Sequence, residues 1–289
     1  MLEETIYKIV NYIYGAICLI GLIGNILAIV VFSRKKFQNT IFSTYFRIMA
    51  LFDILTLLFR IDYFLVINNL NGLRNISAVT CKIAFYFIYT LPALSTWILV
   101  LISLDRFFSI FLPTRFLLRK KIKFQLIASF VVCFCNFIIF IPPIFTVKMM
   151  TVTNKNETKL DCRNSPTIDL IDLISSTLIP FLIMFLSTLF TLSKLFRSRS
   201  LNRNSKLKSK DVRFAVTSIG LDISFLVLNF PQSFYSFIEF FVSIELNLNY
   251  IIFSSLSILV YSHYGTLFYL TLIFNQSFRK EAIGLFKRK

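Results

Sequence analysis

Seven long apolar runs, separated by short polar and basic segments, constrain this chain more than any other feature. They cover about 9–32, 48–66, 83–104, 124–147, 170–193, 214–240 and 246–274, and each is long enough to cross ~30 Å of hydrocarbon as a helix. Backbone N–H and C=O groups find no water in lipid, so a segment crosses it either as a helix or as one strand of a closed barrel. The alternating polarity of barrel strands is absent from these runs. The fold class that follows is an all-α membrane protein, a seven-transmembrane helix bundle. The first run begins after about eight residues, exceeds a signal-peptide core in length and lacks a small-x-small cleavage pattern after it, so it reads as a retained span. The chain then divides into a short N-terminal segment over 1–8, the bundle over 9–274 with a third inner loop at about 194–212, and a tail over 275–289.

Loop charge predicts orientation. Arg34, Lys35 and Lys36 follow span one; Arg115, Arg119, Lys120, Lys121 and Lys123 follow span three; Arg197, Arg199, Arg203, Lys206, Lys208 and Lys210 follow span five. The even loops carry little net positive charge: Arg74 after span two, Lys155 and Lys159 offset by Glu157 and Asp161 after span four, and Glu245 after span six. The positive-inside rule puts the N-terminus outside and, with an odd number of spans, the C-terminus in the cytoplasm. The net charge of +17 is accordingly read as an orientation signal and a contact with anionic lipid, with no nucleic-acid partner. The localisation expected is a multi-pass protein of the plasma membrane.

Cysteines and sequons agree with that orientation. Cys18, Cys133 and Cys135 lie inside apolar runs, where a thiol acts as a small apolar group. Cys81 and Cys162 fall on the outer, oxidising side and are predicted to form a disulfide. Asn75-Ile76-Ser77 and Asn156-Glu157-Thr158 are glycosylation acceptors on the same side, whereas Asn275-Gln276-Ser277 falls in the cytoplasm.

Several function classes find no support in these residues. The chain has no His-Glu-x-x-His, no P-loop and a single histidine, so an enzyme is not expected. A transporter would show internal repeats and matching Gly- or Pro-broken helices, and these are not apparent among seven glycines. A transporter or channel remains a less favoured alternative.

The spacing of landmarks across the spans resembles the rhodopsin-like (class A) G-protein-coupled receptors, and the resemblance covers nearly the whole chain. Span one carries Gly24-Asn25, and span two carries Leu51-Phe52-Asp53. Span three runs from Cys81 through Ser95 and Trp97 to Asp105-Arg106-Phe107, with Pro113 beyond. Span five has Pro180, span six has Phe225 and Pro231, and Phe278-Arg279-Lys280-Glu281 resembles the start of the family's surface helix. There are departures. Span four has no tryptophan, Thr188 stands where many members have a tyrosine, Asn229 replaces the usual tryptophan before Phe230-Pro231, and Leu267, Phe268 and Thr271 replace the Asn-Pro-x-x-Tyr of span seven.

The resemblance implies roles for particular residues. A carboxylate at mid-helix costs ~2.5–3.5 kcal/mol on insertion scales, so Asp53 needs compensation. In the family this acid joins a hydrated sodium pocket, which Ser95, Asn25 and His263 match or face; the alternative is an Asp53 protonated or hydrogen-bonded for structure alone, with no ion. No other cofactor is expected. Arg106 is the expected coupling residue with its neighbour Asp105, and Asp211, at the inner start of span six, matches its resting partner; the alternative is a helix-start acid favoured by the macrodipole. Pro180 and Pro231 are expected hinges, with Phe225 and Asn229 between them and the inner face. Asp222, also in span six, matches nothing in the family pattern and reads as a polar-core residue or a local adaptation.

For the ligand, Ile88 stands where amine receptors carry an aspartate, and span seven contains no lysine for a retinal Schiff base. Arg60, Asp62, Asp169, Asp172, Glu239 and Glu245 give a mainly acidic mouth suited to a cationic peptide, or are solvated helix ends. The function expected is a receptor for an extracellular ligand, a neuropeptide first and a lipid or other small molecule as the alternative, acting on heterotrimeric G proteins. Beyond span seven, Phe278, Ala282, Leu285 and Phe286 recur at helical spacing opposite Arg279 and Lys280, which reads as an amphipathic helix on the inner leaflet.

Overall fold

The computed structural model describes residues 2–38, 41–67, 76–111, 122–154, 157–163, 166–201, 209–241 and 246–286. Among the described residues, seven helices are long and apolar enough to cross a membrane: Ile9–Phe32, Phe42–Asp62, Ala78–Phe111, Lys123–Thr146, Thr167–Lys194, Phe214–Glu239 and Ile252–Phe274. These are spans one to seven. The first helix begins at Leu2, so the segment before span one continues its helix. The helices of spans five and six run to Leu201 and from Ser209, taking up much of the 194–212 segment read as a loop.

Span three runs through the middle of the bundle and touches spans two, four, five and six, while span one packs on spans two and seven. The main core lies toward the Arg106 end of the bundle, the inner end on the orientation expected from loop charge, around Phe32, Phe46, Met49, Leu99, Ile102 and Phe225. Spans one and seven cross at Gly21 and Gly265, where a Cβ on Gly265 would stand 3.0 Å from the Gly21 Cα. Only residues without a side chain permit backbones to approach that closely. Phe130 and Phe134 of span four instead face outward, so the phenylalanine-rich composition serves both core and lipid-facing surface.

Prolines break two spans, and side chains repair both. In span four, Pro142 has no N–H for the Ile138 carbonyl, and Ile141 N–H bonds to that carbonyl at 3.1 Å in place of Phe137. The Phe137 carbonyl is thereby released, and the Tyr86 hydroxyl donates to it at 3.1 Å. The helix ends at Ile139 and resumes as a short turn, Pro142–Thr146, so the 124–147 span is not one continuous helix. In span five, Leu173–Leu178 is wound as a π-helix, and the Ile179 N–H bonds to the Ile174 carbonyl. The same spacing would give the Ser175 carbonyl to the N–H of residue 180, which is Pro180 and has none. The Trp97 indole N–H fills the gap at 3.1 Å.

Beyond span four, Lys148–Asn154 and Glu157–Arg163 form an antiparallel hairpin in which Met149 pairs with Cys162. Helical and apolar periodicity gave no sign of this hairpin. After span seven, Gln276–Phe286 forms the tail helix. Its Phe278 is fully buried against Phe32, Phe37 and Phe268, with ring centroids 4.8, 6.2 and 5.7 Å away, and Ala282 is buried beside it. Arg279 and Lys280 are exposed on the opposite side.

Candidate functional site

Three polar groupings line the bundle from its outer to its inner end. The outer one surrounds Arg60. Its guanidinium lies 4.5 Å from the ring centroid of Tyr261, a cation–π contact that joins spans two and seven. Tyr14 of span one meets Tyr261 edge-on at 5.2 Å. Ile88 and Asp62 are buried. Tyr89, one residue beyond Ile88, donates its hydroxyl to Asp169 at 2.5 Å and so ties span three to the outer start of span five. Sequence pattern singles out neither Tyr89 nor Tyr261. An aromatic in a run already rich in aromatics carries no signal until the fold gives it a neighbour.

The middle grouping holds Asp53, which is fully buried and accepts a hydrogen bond from the Ser95 hydroxyl. Among the described residues the second carboxylate oxygen has no partner. Asn25 donates to the carbonyls of Gly21 at 3.0 Å and Tyr264 at 2.8 Å, which fastens span one to span seven. Its amide protons are therefore committed to backbone, and its side-chain oxygen has no hydrogen-bond partner among the described residues. His263 is fully buried, edge-on to Phe225 at 5.3 Å, and its two ring nitrogens have no hydrogen-bond partner among the described residues. Asp53 and Ser95 thus meet directly, whereas His263 meets the aromatic of span six.

At the inner end, Asp105 and Arg106 are both buried. The Arg106 guanidinium lies over the ring of Phe42 at the start of span two, and Phe42 stacks on Phe214 of span six at 5.2 Å. A cation–aromatic–aromatic stack therefore connects spans three, two and six at this face. The side chain of Asp211 lies outside the described residues. Phe107 continues the same end of span three, stacked on Phe111 at 4.6 Å.

One turn toward the membrane centre, the structure assembles a group that sequence reasoning left unexplained. Asp222 of span six is buried and accepts from Ser103 of span three at 2.9 Å and from Thr188 of span five at 2.8 Å. Ser103 and Ser187 lie 2.5 Å apart. The only trace of this in the sequence is an acid within an apolar run.

The proline sites are also dressed by side chains. Below Pro231, Asn229 donates to the Phe225 carbonyl at 3.0 Å, and Ser233 above it donates to the Asn229 carbonyl at 2.9 Å. Pro180 is served by Trp97, as described above. Pro92 lies inside span three as a third intrahelical proline, not singled out from sequence.

On the outer side Cys81 is disulfide-bonded and buried against Val147. Cys18, Cys133 and Cys135 are free. The side chain of Cys162 and the acceptors Asn75 and Asn156 lie outside the described residues. Asn275, in the third sequon, is buried and caps the tail helix, its side-chain oxygen accepting from the N–H groups of Ser277 at 3.1 Å and Phe278 at 3.2 Å. That helix is clasped to the first inner loop: Arg34 and Lys36 reach the Glu281 carboxylate at 3.0 and 3.2 Å. Hydrogen bonds from Arg34 and then Lys36 hold the Glu281 carboxyl below its ordinary value.

Comparison with known proteins agrees with this architecture. The family described as "7 transmembrane receptor (rhodopsin family)" matches residues 24–266. Human cholecystokinin receptor type A is 29% identical over 219 residues, covering 72% of this chain and 50% of the relative. The rat cholecystokinin receptor type A is 33% identical over 155 residues, or 52% of this chain and 34% of the relative. Rat probable G-protein coupled receptor 19 is 31% identical over 121 residues, or 41% of this chain and 28% of the relative. The chain thus spans about half the length of the curated relatives it matches, or less. The match runs from span one into span seven and describes a receptor, not an enzyme, transporter or channel. This multi-pass membrane chain belongs to the rhodopsin family of seven-transmembrane receptors.

Proposed function

We propose that this chain binds an extracellular ligand of the neuropeptide class between the outer halves of its spans and activates heterotrimeric G proteins at its inner face. The observation that carries this reading is the pairing of two ends within one bundle. The outer end joins Arg60 to Tyr261 between spans two and seven and Tyr89 to Asp169 between spans three and five, and the inner end holds Arg106 over Phe42. Similarity to cholecystokinin receptor type A over 72% of the chain supports a peptide ahead of an amine or a lipid.

In this reading the N-terminus is extracellular and the C-terminus cytoplasmic, in the plasma membrane, with basic loops and tail against anionic lipid. Cys81 pairs with Cys162, the cysteine that remains once three of the five are free. Asn75 and Asn156 carry the glycans. Arg106 is held at rest by Asp211 and released to the G protein on activation. The Asp53 carboxylate and Ser95 hydroxyl fit a hydrated sodium ion, since Asp53 keeps one buried oxygen without a hydrogen-bond partner among the described residues.

The deciding experiment expresses the full chain with a promiscuous G protein and screens amidated peptides against amines and lipids. A response to a peptide that Arg106→Ala removes at unchanged surface expression supports the reading. A response confined to lipids or amines would overturn the ligand class, and a peptide response indifferent to Arg106→Ala would overturn the assigned coupling residue.

A further inference from the structure

Asp222 is placed within an apolar span, where a carboxylate is costly. Its partners are hydroxyls: Ser103 donates at 2.9 Å and Thr188 at 2.8 Å, both to the same carboxylate oxygen. Ser103 also lies 2.5 Å from Ser187, which can donate to it. Ser103 and Thr188 donate to Asp222 from its two sides, and the single proton of Ser187 is shared between Ser103 and the Met184 carbonyl 3.0 Å away. Three spans are thereby joined through one buried carboxylate. The other carboxylate oxygen is buried and has no hydrogen-bond partner among the described residues.

The position of this chain of bonds gives it a consequence. Ser103 lies one helical turn from Arg106 on the same side of span three, and both residues are buried. Asp222 lies two turns beyond Phe214, the residue that closes the aromatic stack over Arg106. The inner end of span six is therefore held to spans three and five beside the guanidinium, and losing the Asp222 bonds would free it there. The unbonded oxygen makes the closed arrangement incompletely satisfied, so opening that admits water to Asp222 regains solvation that the closed state lacks.

We propose that Asp222, with Ser103, Thr188 and Ser187, is a hydrogen-bonded latch that holds the inner half of span six closed and sets the resting level of signalling. The signalling half of this inference rests on the G-protein reading above; the closure half does not.

The test uses the full chain in lipid nanodiscs, with Cys133 and Cys135 replaced by alanine and spin labels attached through Ser109→Cys on span three and Val216→Cys on span six. Asp222→Leu and the near-isosteric Thr188→Val are compared with the parent. The distance distribution is expected to gain a longer component in both variants. In cells, ligand-independent signalling per surface receptor should rise about tenfold for Asp222→Leu and less for Thr188→Val, the size expected from losing charge-assisted hydrogen bonds. Arg106→Ala should abolish that rise. Unchanged distances in Thr188→Val and Asp222→Leu, with both proteins folded and expressed, would overturn the latch. If Asp222→Leu does not fold, Thr188→Val alone decides. Longer distances with no signalling from any variant would leave the latch standing and count against the G-protein reading.

Discussion

The indole N–H of Trp97 donates to the carbonyl of Ser175 at 3.1 Å, across the contact between spans three and five. This bond replaces the donor that Pro180 lacks at the end of a π-helical stretch. The only tryptophan in the chain therefore completes the backbone of a neighbouring helix. Trp97→Phe keeps most of the ring volume and removes the donor. It should lower stability by about 1 kcal/mol, the low end of the cost of leaving a carbonyl unsatisfied, because this one is only part-buried. Thermal unfolding in detergent, followed by a thiol-reactive dye, reads the shift; an unchanged midpoint would argue that the Ser175 carbonyl finds another donor.

Close approach makes a second prediction at Gly265. A Cβ there meets the Gly21 backbone at 3.0 Å, and neither helix has a flexible side chain to move aside. Gly265→Ala should cost about 1–3 kcal/mol through forced separation of spans one and seven. Gly284→Ala, whose nearest contact is the Arg34 side chain at 3.7 Å, serves as the tolerant control. Surface expression and melting temperature of the two variants should differ in that order.

The tail helix starts at a cap. Asn275 accepts from two of the N–H groups that an N-terminus leaves free. Asn275→Ala should weaken the helix by about 0.5–2 kcal/mol, and Asn275→Asp should retain it. Amide hydrogen exchange over Gln276–Phe286 measures this directly, and protection equal in all three proteins would count against the cap.

Glu281 supplies a pH dependence with a definite sign. Its partners Arg34 and Lys36 lower its folded value below the ordinary 4.5, so the clasp contributes fully above the unfolded value. The contribution is lost as pH falls through the lower folded one. The carboxylate is about one-quarter exposed, so the contribution is at most about 1 kcal/mol. Exchange of the tail helix should quicken as pH is lowered below the ordinary carboxylate range, after correction for intrinsic rates. Glu281→Gln should remove that excess and exchange faster at neutral pH.

At the middle of the bundle, replacing potassium by sodium should raise the melting temperature of the wild-type chain, because an ion held only by the folded state stabilises it by mass action. Asp53→Asn should abolish the gain, and Ser95→Ala should reduce it. Equal melting in both salts would instead assign Asp53 a purely structural hydrogen bond.

The sequence by itself determined the seven spans and the helical class, because lipid leaves a long apolar segment few ways to satisfy its backbone. It also determined the amphipathic tail, whose Phe278 and Ala282 share one face at helical spacing and are both buried. Asp53 and Arg106 stood out because a charge within or at the edge of an apolar run is costly and visible. What the tertiary structure decided are the partners. Asp222 could be seen as an acid in span six, but Ser103 and Thr188 are ordinary hydroxyls lying 119 and 34 positions away. Nothing local marks one serine among many as its donor. Likewise the hairpin after span four depends on pairing between strands, and the bond from Trp97 to Ser175 bridges 78 positions. Solvation in lipid acts on each segment separately and can be read along the chain, whereas hydrogen-bond satisfaction between spans depends on which faces meet, and only packing fixes that.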